Sequence, residues 1–345
     1  MFNFDADILE NDIIRNLPDI LEILLKDRTS KKNIIWATND YDILGKEYRS
    51  KSQIKIPLIS EKNTRLIMPR ILKEKEIQRK RSKEKAEVFT PSWICNMQNN
   101  LIDEKWFGRK NVFNKEVEKN RKKNWKTIEG KIKFPKNKTW TDYIKDIRME
   151  ITCGEGPYIT SRYDTTTGEF IEVKNRIGFL DRKLRIINEN TETSKEWLKW
   201  AYIAYQSTYG YEWQGDNLLL TREALVLTFI ENYYKKFKKY PKNQSIKKIA
   251  EIISWNIWQM DGLKMVIPNS CENSENLSTK QKSLFGDNFI EKEEKKCLGC
   301  EKNDITTHIG KYCLIMDWTK KDKKTKKYGV KIKFIDLITK ELWRK

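Results

Sequence analysis

The sequence predicts an α/β fold in which short strands end in tight turns, helices follow them, and a small cysteine-rich module is set into the chain. Three stretches carry that expectation. Met149 to Gly156 (Met-Glu-Ile-Thr-Cys-Gly-Glu-Gly) reads as an apolar strand end running into a Gly-x-Gly turn, with the acid Glu150 just ahead of it. Glycine reaches φ > 0 and lets a ligand approach the backbone without a Cβ in the way. A strand feeding such a turn is a common way to hold a nucleotide-like cofactor. Ser254 to Gly262 is an apolar-rich run closed by an acid at the Asp261-Gly262 turn. The third stretch holds Cys297, Cys300, His308 and Cys313, with the chain's one histidine among three of its six cysteines.

Taken in order, residues 1–85 read as a mixed, basic region. Ile8 to Leu25 has apolar residues at helical spacing, and Ile34 to Thr38 is a short strand-like run. Arg65 to Lys85 is basic and suits either an exposed helix or a phosphate backbone. Phe89-Thr90-Pro91 then offers a helix start, because proline fits the first helical position. Trp106, Trp125 and Trp140 lie among lysines, either in the core or as stacking platforms for bases. After the Gly-x-Gly turn, residues 157–212 read as an insertion. Glu223 to Tyr240 reads as a helix with Asp216 or Asn217 as its cap, and Ile246 to Ile253 as a shorter one. Residues 269–295 are polar and read as a linker, 296–318 as the cysteine module, and 319–345 as a returning strand that ends at Asp336.

Phe89-Thr90-Pro91, followed by Glu150 and then Cys153-Gly154-Glu155-Gly156, resembles the adenine-specific amino-methyltransferases of DNA. There a Phe-Thr-Pro element precedes the Gly-x-Gly motif and closes over the methionine end of S-adenosylmethionine. The resemblance spans residues 86 to 337. It implies a Rossmann-like class I methyltransferase core over 86–268, with S-adenosylmethionine as cofactor. It also implies roles: Phe89, Thr90 and Pro91 over the methionine portion, Glu150 toward its amine, and Cys153, Gly154, Glu155 and Gly156 as the turn that admits it. Asp261 would accept from the ribose hydroxyls and Asp336 would lie near the adenine.

That family's reactive loop, Asn/Asp/Ser-Pro-Pro-aromatic, is missing: the eight prolines are all isolated, and no Pro-Cys nucleophile occurs. No catalytic residue is therefore assigned. The strand ending at Asp336 lies close to the end of the sequence, where the loop would begin. The resemblance then implies a split enzyme of a restriction-modification or phage-defence system, with a second subunit carrying the loop.

Composition bounds the partners. The formal charge of +20 favours a polyanion, read here as double-stranded DNA, and the densest basic runs are Arg79–Lys85, Lys235–Lys242 and Lys320–Lys327. No apolar run reaches the ~18 residues of a membrane span, and the N-terminus lacks a signal-peptide pattern. A cytoplasmic protein with reduced thiols is expected. Cys-x2-Cys-x7-His-x4-Cys then suits a closed, structural zinc site. Two other readings stay open. Asp164, Glu172 and Lys174 match the spacing of a Mg²⁺-dependent restriction nuclease. A zinc-containing DNA-binding protein without enzymatic activity fits the same composition.

Overall fold

The structure, a computed structural model, describes residues 10–17, 19–85, 87–119, 122–271 and 296–342. Along them run α1 (Glu10–Asn16), α2 (Ile20–Leu25), α3 (Ile56–Ile59), α4 (Lys75–Lys85), α5 (Ser92–Phe107), β1 (Asn114–Lys119), β2 (Lys122–Thr127) and α6 (Trp140–Lys145). Then come β3 (Arg148–Glu150), α7 (Phe179–Asn190), α8 (Ser194–Gln206), β4 (Thr208–Glu212), α9 (Gly215–Phe237), α10 (Asn243–Asn256) and β5 (Ile257–Gln259). Last are α11 (Leu298–Lys302), β6 (Leu314–Lys321), β7 (Tyr328–Lys333) and α12 (Ile335–Leu342). The chain is a mixed α/β protein with small sheets, and none of its described helices is long and apolar enough to cross a membrane.

Its centre is a parallel sheet in the order β3-β4-β5. Parallel neighbours need crossovers, and helices supply both, α7 and α8 from β3 to β4, α9 and α10 from β4 to β5. α9 is the spine, buried at every position from Gly215 to Tyr233. Gly215 is required where the helix starts, because a Cβ there would lie 2.0 Å from the Ile35 carbonyl oxygen. The antiparallel β6–β7 hairpin and α12 cover one face of β4 and β5, burying Tyr209, Tyr211, Trp258 and Met260 against Ile315 and Phe334.

The N-terminal region is part of this body. α2 packs on α10 and α9. Arg222, fully buried in α9, donates to the carbonyls of Leu24, Lys26 and Ile257, which satisfy it without any carboxylate. Ile35 lies beside β5, where the Gln259 side-chain amide bonds both its amide and its carbonyl, at 2.9 and 2.8 Å.

Several expectations are corrected here. Residues 157–212 are not an insertion, since they hold α7, α8 and β4, the middle strand. The helix expected at 223–240 begins at Gly215, with Gln214 rather than Asp216 or Asn217 as its N-cap, and belongs to the second crossover. The described residues of the 8–25 stretch form two helices, and Ile34 to Thr38 makes only an isolated bridge from Ile35 to Gln53. The C-terminal run pairs antiparallel, and Asp336 sits in α12 rather than at a strand end. Trp106 and Trp140 pack against the main core, and the Trp125 indole donates to the Asn175 carbonyl. Of the expected linker, 272–295 lies outside the described residues.

Candidate cofactor cleft and candidate metal centre

The ends of β3 and β4, the Gly-x-Gly turn, the start of α9 and residues 87–90 enclose a half-open cleft of about 1560 Å³. The turn is tightly specified. Thr152, Gly154 and Gly156 take φ of 47°, 55° and 74°, and the first is unusual for a β-branched residue. The Cys153 amide donates to the Tyr211 carbonyl at 2.8 Å, and the Gly156 amide to the Cys153 carbonyl at 2.7 Å. Thr221, from α9, donates to the Gly154 carbonyl at 2.6 Å. A Cβ on Gly156 would lie 2.8 Å from the Thr221 methyl, and one on Gly154 would lie 3.4 Å from the Phe89 ring. The Phe-Thr-Pro element therefore packs directly on the turn.

Two acids face this turn. Glu212, the last residue of β4, accepts from the Gly154 amide at 2.8 Å and from the Gln214 amide at 3.1 Å. Burial pushes its carboxyl up to about 7 against the pull of those amides, with Asp216 adding to the rise. Glu150 accepts from the Ile159 amide at 3.1 Å. Burial, reinforced by Glu212, drives its carboxyl well above the ordinary range. Burial likewise raises the Cys153 thiol, leaving it a neutral packing group.

Of the residues singled out in the sequence, Phe89, Thr90, Glu150, Cys153 and Gly154 line the cleft. Pro91 caps α5 instead. Glu155 points away, accepting from the Arg70 amide at 2.6 Å and the Tyr163 hydroxyl at 2.5 Å. Gly156 meets Thr221. Asp261 is outside the cleft, its carboxylate spent on the Leu263 and Lys264 amides of its own turn at 3.0 and 3.1 Å. Asp336 is outside it as well. Glu212, Trp213 and Asn217 line the cleft without having been anticipated. Thr208-Tyr-Gly-Tyr-Glu212 is a run of strand formers ending in an acid, and that signal was available. Asn217 is buried, and its side-chain oxygen has no hydrogen-bond partner among the described residues.

A buried ionic network holds the roof. Arg81 meets Glu87 at 2.5 Å, Asp40 at 2.8 Å and Asp216 at 3.0 Å, and bonds Gln214. Lys73 and the Tyr41 hydroxyl reach the same Asp216 at 3.2 and 2.7 Å. Burial alone would raise the Asp216 carboxyl, but Arg81 and Lys73 reverse the effect and hold it well below the carboxylate range. Arg81 is thus an internal ion-pair partner and not a surface contact, unlike its exposed neighbours Arg79 and Lys80.

The sulfur cluster assembles differently from its spacing. Cys271, Cys297, Cys300 and His308 bring their donor atoms within 4.8 Å of one another. His308 Nδ1 lies 3.6, 3.5 and 3.7 Å from the three sulfurs. A zinc tetrahedron with arms of about 2.0–2.3 Å has edges of about 3.6 Å, so the set can hold a metal ion such as zinc. Cys313 is not in it. Its thiol is fully buried and donates to the Gln259 carbonyl at 3.4 Å, inside the core under β6. Cys271 takes its place because Val266 bridges both Asp261 and Tyr312, which turns the end of that segment toward α11. Two glycines make the room. A Cβ on Gly299 would lie 2.6 Å from His308 Nδ1, and one on Gly310 would lie 2.7 Å from the Cys271 sulfur. Burial raises the Cys297 thiol, but the Ile309 and Cys300 amides and His308 outweigh it and bring it down to about 6.

The nuclease trio is engaged in local contacts. Asp164 caps α5 through the Ser92 amide and closes its own turn through Thr166 and Thr167. Glu172 and Lys174 form an exposed pair at 3.3 Å.

The chain matches no family model, no curated protein and no solved structure.

Proposed function

We propose that this chain is the cofactor-binding part of a split DNA adenine methyltransferase, with S-adenosylmethionine in the cleft between β3, β4 and residues 87–90. The observation that carries the reading is the bond from the Gly154 amide to Glu212, with Phe89 packed on the same turn. It joins the Gly-x-Gly turn, the acid at the end of the adjacent parallel strand and the Phe-Thr-Pro element into one site. Glu212 takes the role first given to Asp261, because it lines the cleft where Asp261 does not, and each of its oxygens, already accepting one amide, keeps a second lone pair for a ribose hydroxyl. Glu150 faces the amine end, and the unpartnered Asn217 oxygen offers a further acceptor. When bound, the cofactor supplies an electrophilic methyl on a cationic sulfur. This chain's residues bind and orient it, while the grip on the target adenine comes from a partner subunit. Such an enzyme belongs to a restriction-modification or phage-defence system. Zinc in the Cys271–Cys297–Cys300–His308 group is structural, since four protein ligands close the tetrahedron.

Calorimetry with S-adenosylmethionine tests the site. Glu212→Ala is expected to weaken binding about ten- to a hundredfold, the worth of a hydrogen-bonded charge, while Asp261→Ala leaves it unchanged. The ionised form of Glu212 is the better acceptor and the better neighbour for a cation. Affinity therefore rises as the pH climbs through the region of about 7 where this carboxyl titrates. Glu212→Gln keeps an acceptor for the Gly154 amide and should flatten that rise. Binding that ignores both substitutions would remove the cleft assignment. No methyl transfer to DNA is expected from this chain alone.

DNA binding is expected through exposed cations. Reversing Arg79 and Lys80 together should lower affinity and flatten the salt dependence, by roughly one unit of slope for each phosphate no longer neutralised. An unchanged slope would assign the two to the solvated surface.

A further inference from the structure

The parallel sheet ends abruptly at β3. In a parallel ladder, alternate residues turn their amide and carbonyl toward opposite neighbours. Arg148 donates to the Ser207 carbonyl at 3.0 Å and is paired with Thr208, as Glu150 is with Gly210. Met149 therefore turns its N–H and C=O to the other edge, where no strand lies among the described residues. Side chains repeat the pattern. Arg148 and Glu150 are buried, whereas Ile147, Met149 and Ile151 are 58%, 41% and 61% exposed.

The register puts Met149 on the same face as Tyr209. Over β4 and β5 that face is covered by the C-terminal hairpin, where the Tyr209 hydroxyl reaches the Met316 carbonyl at 2.8 Å. The cover stops short of β3, so an internal packing surface continues into solvent. Parallel sheets are ordinarily covered on both faces, and a bare apolar edge templates further pairing. Ile102, half exposed on α5, and Val88 border the same cleft and extend the patch. The exposed cations on the cleft rim beside this edge are Lys83 and Lys105, with the acid Glu84 next to the first.

We propose that the free edge of β3 accepts a β-strand from a second polypeptide, one apolar at alternate positions and flanked by acidic residues. The Met149 backbone supplies the pairing, Ile147, Met149 and Ile151 the apolar face, and Lys83 and Lys105 select the acidic flanks. A strand docked there forms the missing wall of the cleft. The proposal rests on the reading in which the methyl-transfer centre is completed from outside, and it names the place where that happens. A second copy of this chain fits less well. Two copies each carry a formal charge of +20 and repel one another, whereas an acidic partner is attracted.

Short synthetic peptides of alternating valine and threonine test this, one set flanked by glutamates and one by lysines, with fluorescence anisotropy as the readout. The glutamate-flanked peptide should bind about tenfold or more tightly than the lysine-flanked one at low salt, a gap that closes as salt screens the flanks. N-methylation of alternate peptide amides should abolish binding. Met149→Lys and Ile151→Lys should each weaken it at least about tenfold by charging the apolar face. These positions are exposed, so unchanged circular dichroism and retained zinc confirm that the variants fold. No binding by either peptide, or equal binding to the two lysine variants, overturns the proposal. So does a homodimer that Met149→Lys dissociates. Calorimetry with S-adenosylmethionine on the same samples separates the two claims. Cofactor binding without peptide binding removes the docking edge alone, and peptide binding without cofactor binding removes the cleft assignment alone.

Discussion

Serine in place of Cys271 is expected to strip the metal from the protein, while serine in place of Cys313 leaves it bound. Spacing along the chain favours the opposite result, so the pair of variants is decisive. Structural zinc sites bind with about 10–16 kcal/mol that is largely folding energy, and loss of a thiolate removes much of it. Metal analysis after dialysis reads the outcome. Stoichiometric zinc in the Cys313→Ser protein and little in the Cys271→Ser protein is expected. Limited proteolysis should open the 296–313 region only in the second, because its small apolar cluster of Val266, Cys271 and Cys297 does not suffice without the ion. Zinc retained by Cys271→Ser would return the fourth ligand to Cys313.

Arg81→Ala should cost about 3–5 kcal/mol, because it leaves carboxylates buried without their cation. Asp216 and Glu87 are the groups concerned, with Asp40 at the margin. Urea unfolding measures the loss, and Arg81→Met serves as a control that restores the volume but not the charge. Acid sharpens the contrast. Asp216 is held below its ordinary range in the folded protein, chiefly by Arg81 once burial has been overcome. Its contribution is therefore fully present above about pH 4, the unfolded value, and drains away as the pH falls through the folded one. The variant should lack this acid limb. An Arg81→Ala protein as stable as the parent would mean that water reaches the network.

Local chemistry made part of this molecule legible. The strand into Gly154, the helix starting after Pro91 and the cysteine-histidine pairing all depend on neighbours in sequence. What the chain hid depends on distance. β4 is only five residues long and follows closely on α8, so its aromatic run was counted in the expected insertion at 157–212, and Glu212 with it. Asp261 has the composition of a cofactor acid, but it lies outside the cleft, with its Oδ1 accepting from the amides of its own turn. Cys313 keeps good ligand spacing, yet the β6 register carries it into the core. Arg81 stands in a basic run that looks solvated, and only the fold supplies its three carboxylates. Charge along a sequence says little about which cations face water.

The arginine at the heart of α9 has a consequence for how the chain is made. Arg222 holds the Leu24 carbonyl across 198 positions of sequence. A ribosome adding about 5–20 residues per second reaches the first helices roughly 10–40 s before that arginine is synthesised. Throughout that interval the apolar residues of α2 have no α9 or α10 to cover them. Vectorial synthesis thus leaves α2 unsecured until α9 has followed it.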